Sequence, residues 1–226
     1  MKSLYDFIIS PLNTRYNNTT KIGDKDFIVN TNIENHLAVS KEAKVIATPS
    51  AYKTDVKVGD IVRVHHNVFR RWYDVRGKEK NSRSYFKDNL YFCDPLQVYM
   101  YNDKAHLNYC FVAPIKNKDD FSTANEHIQR GILKYGNKSL EVVGITPGTL
   151  VTFSPDSEFE FIIEGEKLYC MKSNNIAITH EHKGNEEEYN PSWAISSKRI
   201  NKSSSRTNCR HRGGCVCGSS KERSCH

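Results

Sequence analysis

No stretch of this 226-residue chain approaches the ~18–20 consecutive apolar residues of a membrane-spanning helix. The opening MKSLYDFIIS lacks the basic-then-apolar region and small-residue cleavage site of a secretory signal, so a soluble, cytoplasmic protein without membrane attachment is expected. Apolar residues are also scarce, at 38% against the ~45–50% of ordinary globular chains. That shortage speaks against a large, deep-cored enzyme domain. Phosphate loops, G-x-S-x-G elbows and H-E-x-x-H pairs are missing too, and no catalytic residue is expected.

Charge and cysteine are present but unevenly spread. Residues 198–226 hold eight of the 33 basic residues and one of the 26 acids, so the net charge of +7 belongs to the tail and the rest is neutral. Four of the seven cysteines, Cys209, Cys215, Cys217 and Cys225, lie in the same tail. Cys93, Cys110 and Cys170 stand among aromatic or apolar neighbours and are expected to be buried thiols. An odd count without a signal peptide argues against a disulfide framework.

The body reads as short strands rich in β-branched and aromatic residues, separated by Gly, Pro, Asn and Asp. The runs are 5–9, 43–47, 60–65, 90–93, 97–101, 107–113, 131–135, 140–143, 149–153, 159–163, 167–171 and 175–179. Only residues 121–129 suggest a helical turn, and the acidic run 186–188 is expected as a solvated linker. This pattern predicts an all-β protein.

An internal repeat is visible. Val56-Lys-Val-Gly59-Asp-Ile-Val-Arg-Val64 resembles Ile145-Thr-Pro-Gly148-Thr-Leu-Val-Thr-Phe153, a turn glycine followed by an alternating strand. Leu90-Tyr91-Phe92 and Leu168-Tyr169-Cys170 then each open a strand, and an apolar strand resumes eight residues after the leucine, at Val98 and Ile176. The first copy is the longer between these landmarks. Two copies of one β unit are expected, over 1–102 and 103–183, with 184–226 as linker and tail.

In order, these segments resemble the co-chaperonin family typified by GroES. The family has a first strand, a long mobile loop, a G-x-V-x-A-V/P strand, a V-x-V-G-D-x-V turn and strand, a hairpin, and a closing pair of the form L-x-x-x-x-x-D-I-L-A-I. Here 5–9, the polar loop 13–41, Ala43-Lys-Val-Ile-Ala-Thr-Pro49, 56–64 and 90–101 follow that order. The second copy does so with 108–115, 131–135, 147–153, 158–165 and Lys167-Leu-Tyr-Cys-Met-Lys-Ser-Asn-Asn-Ile-Ala-Ile178. The resemblance implies two tandem GroES-like β-barrels and a non-enzymatic protein needing no cofactor. Such a protein forms a homo-oligomeric ring and caps a host chaperonin ring in its ATP-bound state over unfolded substrate proteins. A tandem, decorated form resembles co-chaperonins encoded by large bacteriophages, acting in the bacterial host cytoplasm. In that family a short apolar tripeptide in the loop grips the chaperonin, and the loop here offers one, Phe27-Ile28-Val29. The other reading of residues 26–30 is an ordinary strand with one buried face.

Two further segments carry chemistry. Residues 67–89 interleave Arg70, Arg71, Arg76, Lys78, Lys80, Arg83 and Lys87 with Phe69, Trp72, Tyr73, Tyr85 and Phe86. This is the composition of a stacking and phosphate-binding platform, or of an amphipathic hairpin lining the folding chamber. His65 and His66 begin it, and strand alternation would point them apart. In the tail, Cys209, Cys215, Cys217 and Cys225, with His211 nearby, either surround Zn²⁺ or remain reduced thiols on a solvated cationic segment. Arg206, Arg210 and Arg212 would draw that segment to polyanions. The alternative function is therefore a virion or nucleic-acid-associated protein that reuses the barrel.

Overall fold

The computed structural model describes residues 2–22, 24–28, 31–118, 124–181 and 184–195. The first part of the chain forms β1 (Phe7–Pro11), β2 (Thr19–Ile22), β3 (Lys25–Ile28), β4 (Glu42–Ala47), β5 (Ile61–Val64), β6 (Arg71–Tyr73), β7 (Glu79–Asn81), β8 (Tyr85–Lys87), β9 (Leu90–Cys93), β10 (Val98–Tyr101) and β11 (Lys104–Ala105). The second forms β12 (Tyr109–Lys116), β13 (Glu126–Tyr135), β14 (Leu150–Phe153), β15 (Phe159–Ile163), β16 (Glu166–Lys172) and β17 (Ile176–His180), together with the short helix α1 (Lys138–Val142). The all-β expectation holds, and no described helix is long and apolar enough to cross a membrane.

The strands form a seven-stranded sheet, β11-β10-β5-β4-β1-β9-β8, and a six-stranded sheet, β15-β16-β12-β13-β14-β17. Read from β10 to β8 and from β17 to β15, the two follow one order. Their registers agree as well. Ile9 opposite Val45 corresponds to Val112 opposite Leu133, each beside a bulge; Ala43 opposite Val62 corresponds to Gly131 opposite Val151. At the repeated turn, Gly59 (φ +96°) and Gly148 (φ +93°) occupy the left-handed region that disfavours a Cβ. Gly59 N donates to Val45 O at 2.8 Å, and Gly148 N donates to Leu133 O at 2.8 Å. Thus the internal repeat is a shared hydrogen-bond skeleton. No ladder among the described residues joins the two edges of either sheet.

β12 explains how the units meet. Its sequence, Tyr109-Cys-Phe-Val-Ala-Pro-Ile115, is apolar without alternation because both faces are buried. Cys110 and Val112 pack with Leu133, Val151 and Phe153 in the second unit's own core. Tyr109, Phe111 and Ala113 point the other way, onto Tyr99 and Met100 of β10 and Phe161, Leu168 and Cys170. Each large side chain so buried contributes ~1.5–3 kcal/mol. The first unit keeps a separate core around Phe7, Ile9, Val45, Val62, Val64, Tyr91 and Val98.

Three local expectations are corrected. Residues 140–143 read as a strand, but Asn137 caps a helix there by accepting from Ser139 N and Leu140 N, and Gly144 at φ +78° follows its end. Within the segment expected to turn helically, Glu126 onward is already β13, while 121–123 lie outside the described residues. The acidic run is no free linker: Lys116 N donates to Glu187 O at 2.8 Å, and Glu188 pairs with Lys134 at 2.8 Å.

Candidate functional site

Two segments of the first unit have no counterpart in the second. Residues 12–41 connect β1 to β4, where the second unit uses 117–125; residues 65–84 connect β5 to β8, where the second uses only 154–158. Both additions lie against each other.

The first is an arm on a fixed stalk. Asn17 N donates to Ala38 O at 2.7 Å and Ser40 N to Arg15 O at 3.0 Å, drawing the two sides of the loop together. Tyr16 and Val39 enter the first unit's core. Beyond this base, β2 and β3 form a two-stranded hairpin with Thr20 opposite Phe27 and Thr19 opposite Ile28. Phe27 is 47% exposed and Ile28 67%. Neighbouring strand residues point to opposite sides, so neither side chain has found a buried face. The anchor segment is therefore a strand, yet not one with an apolar face packed inward. Val29 lies outside the described residues.

The second addition begins where Val68 and Phe69 plug the core and Phe69 meets Tyr91 edge-on, with centroids 4.8 Å apart. β6 and β7 then form a hairpin. Asp74 closes its tip by accepting from Arg76 N at 3.0 Å and Lys78 N at 2.9 Å, and these N–H groups hold its carboxyl below the usual aspartate range. Val75 at the tip is fully exposed, and Trp72 and Tyr73 stand in solvent. None of β6, β7 and β8 contains a buried residue.

Arg15 and Tyr16 lock the two additions together. Arg15 donates through Nε to Phe69 O at 2.5 Å, through Nη1 to Asn81 Oδ1 at 2.6 Å and through Nη2 to Arg70 O at 3.1 Å. Its guanidinium lies 5.3 Å from the Tyr91 centroid. The Tyr16 hydroxyl donates to Ile33 O at 2.7 Å and accepts from Arg71 N at 2.7 Å. Tyr73 N reaches Glu34 Oε1 at 3.2 Å.

Of the sequence-derived cations, Arg71 is committed to Glu79 at 2.9 Å and to the Tyr16 ring at 4.7 Å. Arg70 lends its carbonyl to Arg15, and the Nε atoms of Arg70 and Arg71 are buried without a hydrogen-bond partner among the described residues. Arg206, Arg210, Arg212, Cys209, Cys215, Cys217 and Cys225 lie outside the described residues.

A histidine cluster adjoins the stalk. The chain leaves β5 after Val64 for a short 3₁₀ turn, His66–Val68, and the His65 and His66 rings stack at 4.3 Å instead of diverging. His36 approaches His66 at 5.3 Å. The three share a cavity of about 270 Å³ with Lys41, Tyr99, Glu158, Phe159 and Glu160. Burial, followed by the charges of His65, His36, Lys41 and Arg70, pushes His66 down to about 4. Among the described residues no group of His, Cys, Asp and Glu is arranged to hold a metal ion.

Sequence reading missed Arg15, Tyr16 and the histidine cluster. The partners of Arg15 and Tyr16 are distant in sequence and are mainly backbone groups, for which no side-chain pattern exists. Comparison of the chain with protein-family models, with curated proteins and with solved structures gives no match.

Proposed function

We propose that the protein is a co-chaperonin of the GroES type, each sheet being one barrel-like unit of that family. It forms a homo-oligomeric ring, caps a bacterial host's chaperonin ring in its ATP-bound state and assists folding of the enclosed chains. It acts in the host cytoplasm, encoded by a bacteriophage, without catalytic residues or a required cofactor. The observation that carries this reading is the exposed Phe27 and Ile28 on a hairpin held away from the core by a fixed stalk. Two solvent-facing apolar side chains on a projecting strand suit insertion into an apolar groove. Backbone already paired before contact lowers the ordering entropy of docking, and a ring multiplies a weak contact by valency.

Native mass spectrometry with a bacterial chaperonin tests the proposal. The expected result is a ring that joins the chaperonin only with ATP, and loses it in Phe27→Ser/Ile28→Ser without loss of fold. A monomer indifferent to chaperonin and nucleotide would overturn it.

A further inference from the structure

We infer that the β6–β7 hairpin is a second docking element for the same partner, meeting carboxylates that flank the groove entered by Phe27 and Ile28. This rests on the co-chaperonin reading and gives the contact an electrostatic half.

The hairpin is dispensable to the β unit, since the second copy reaches the same strand order without it. It has no buried face of its own and carries Trp72, Tyr73 and Val75 outward. Its acids are engaged internally, Glu79 with Arg71 and Asp74 with Lys80 at 3.8 Å. Arg76 and Lys78 at its tip, and Arg83 just past its base, make no ion pair among the described residues, leaving its exposed surface cationic. Arg15 and Tyr16 fasten the base of the hairpin, at Phe69, Arg70, Arg71 and Asn81, to the base of the apolar arm. The two elements are thus rooted side by side and are able to meet one surface, where charge complementarity would place acid opposite the hairpin.

A single-stranded nucleic acid would also find cations and aromatic rings here. However, Trp72 and Tyr73 are neighbours on one strand and face opposite sides, so they do not make a continuous stacking track. Val75 at the tip offers nothing to a polyanion. A protein surface with both apolar and acidic character satisfies all of these groups.

The test uses the full chain, a bacterial chaperonin and ATP, with affinity measured across a sodium chloride series. The variants are Arg76→Glu/Lys78→Glu/Arg83→Glu and Phe27→Ser/Ile28→Ser, and binding of a fluorescent oligouridylate is measured in parallel. The charge variant should bind the chaperonin about tenfold or more weakly at low salt, with a flattened salt dependence. The apolar variant should lose binding at every salt concentration. Unchanged affinity and salt slope in the charge variant, beside lost binding in the apolar variant, overturns the second contact and leaves the co-chaperonin reading standing. A wild-type chain that never binds chaperonin overturns both. Loss of oligouridylate binding alone in the charge variant overturns the inference in favour of nucleic acid. Exposed positions make misfolding a small risk, and Trp72→Ala, which keeps every charge, gives an independent reading of the same contact.

Discussion

Tyr16 and Arg71 meet twice: the phenol oxygen accepts the Arg71 backbone N–H at 2.7 Å, and the Arg71 guanidinium lies 4.7 Å from the centre of the same ring. One residue of the stalk thus holds both the backbone and the side chain of the hairpin. Tyr16→Phe keeps the ring and removes the hydroxyl, stranding the Arg71 N–H and Ile33 O. A cost of about 1–3 kcal/mol is expected. Urea denaturation should show that loss, and hydrogen exchange should show faster exchange at the Arg71 amide with little change in β12.

Two glycines separate backbone strain from steric collision. A Cβ at Gly148 meets nothing within 4 Å, so Gly148→Ala pays only for its positive φ, about 1 kcal/mol. A Cβ at Gly131 would fall 2.3 Å from Ala113 O and 2.5 Å from Val112 Cγ1. Gly131→Ala should therefore cost about 3 kcal/mol or more, by forcing β13 off β12. Equal destabilisation of the two variants in thermal denaturation would contradict the pairing of these strands.

Acidification should loosen the histidine cluster. His66 binds its proton near 6.5 when unfolded and near 4 when folded. The unfolded chain therefore takes up more protons between these values, and stability present above pH 6.5 is lost as pH falls toward 4. His65 shifts the same way through burial and Lys41. Because the His66 ring is only half-buried, solvent screening reduces the expected loss to on the order of 1 kcal/mol. Denaturation midpoints at pH 7.5, 6 and 5 should decline, and His66→Gln should flatten that decline.

The three core thiols should be inert in the folded protein. Burial holds Cys93 and Cys170 well above the ordinary thiol range and pushes Cys110 up to about 12. Iodoacetamide followed by peptide mass spectrometry should leave all three unmodified until denaturant is added. Rapid native labelling at Cys110 would contradict its place between β13 and β16.

Much of the ladder was legible because it depends on local rules. The runs 90–93 and 159–163 coincide with β9 and β15, and the turn glycines before β5 and β14 marked the repeat. α1 was misread because Leu140, Val142 and Val143 favour a strand by composition, whereas the Asn137 cap and Gly144 decide the geometry. His65 and His66 were placed apart by strand alternation that stops one residue earlier, at Val64. The exposed pair Phe27 and Ile28 was visible as an apolar interruption in a polar loop. The clamp was not, because Arg15 binds the carbonyls of Phe69 and Arg70, atoms that every residue possesses.

Duplicated ladders on one chain create a hazard during folding, since a strand of one copy can enter the other's sheet and trap a swapped intermediate. The register makes one such exchange self-defeating. β4 would bring Ala43 to the position of Gly131, where an added Cβ lies 2.3 Å from Ala113 O, so β12 rejects it. A missing methyl group thus favours β13 over β4 as the partner of β12.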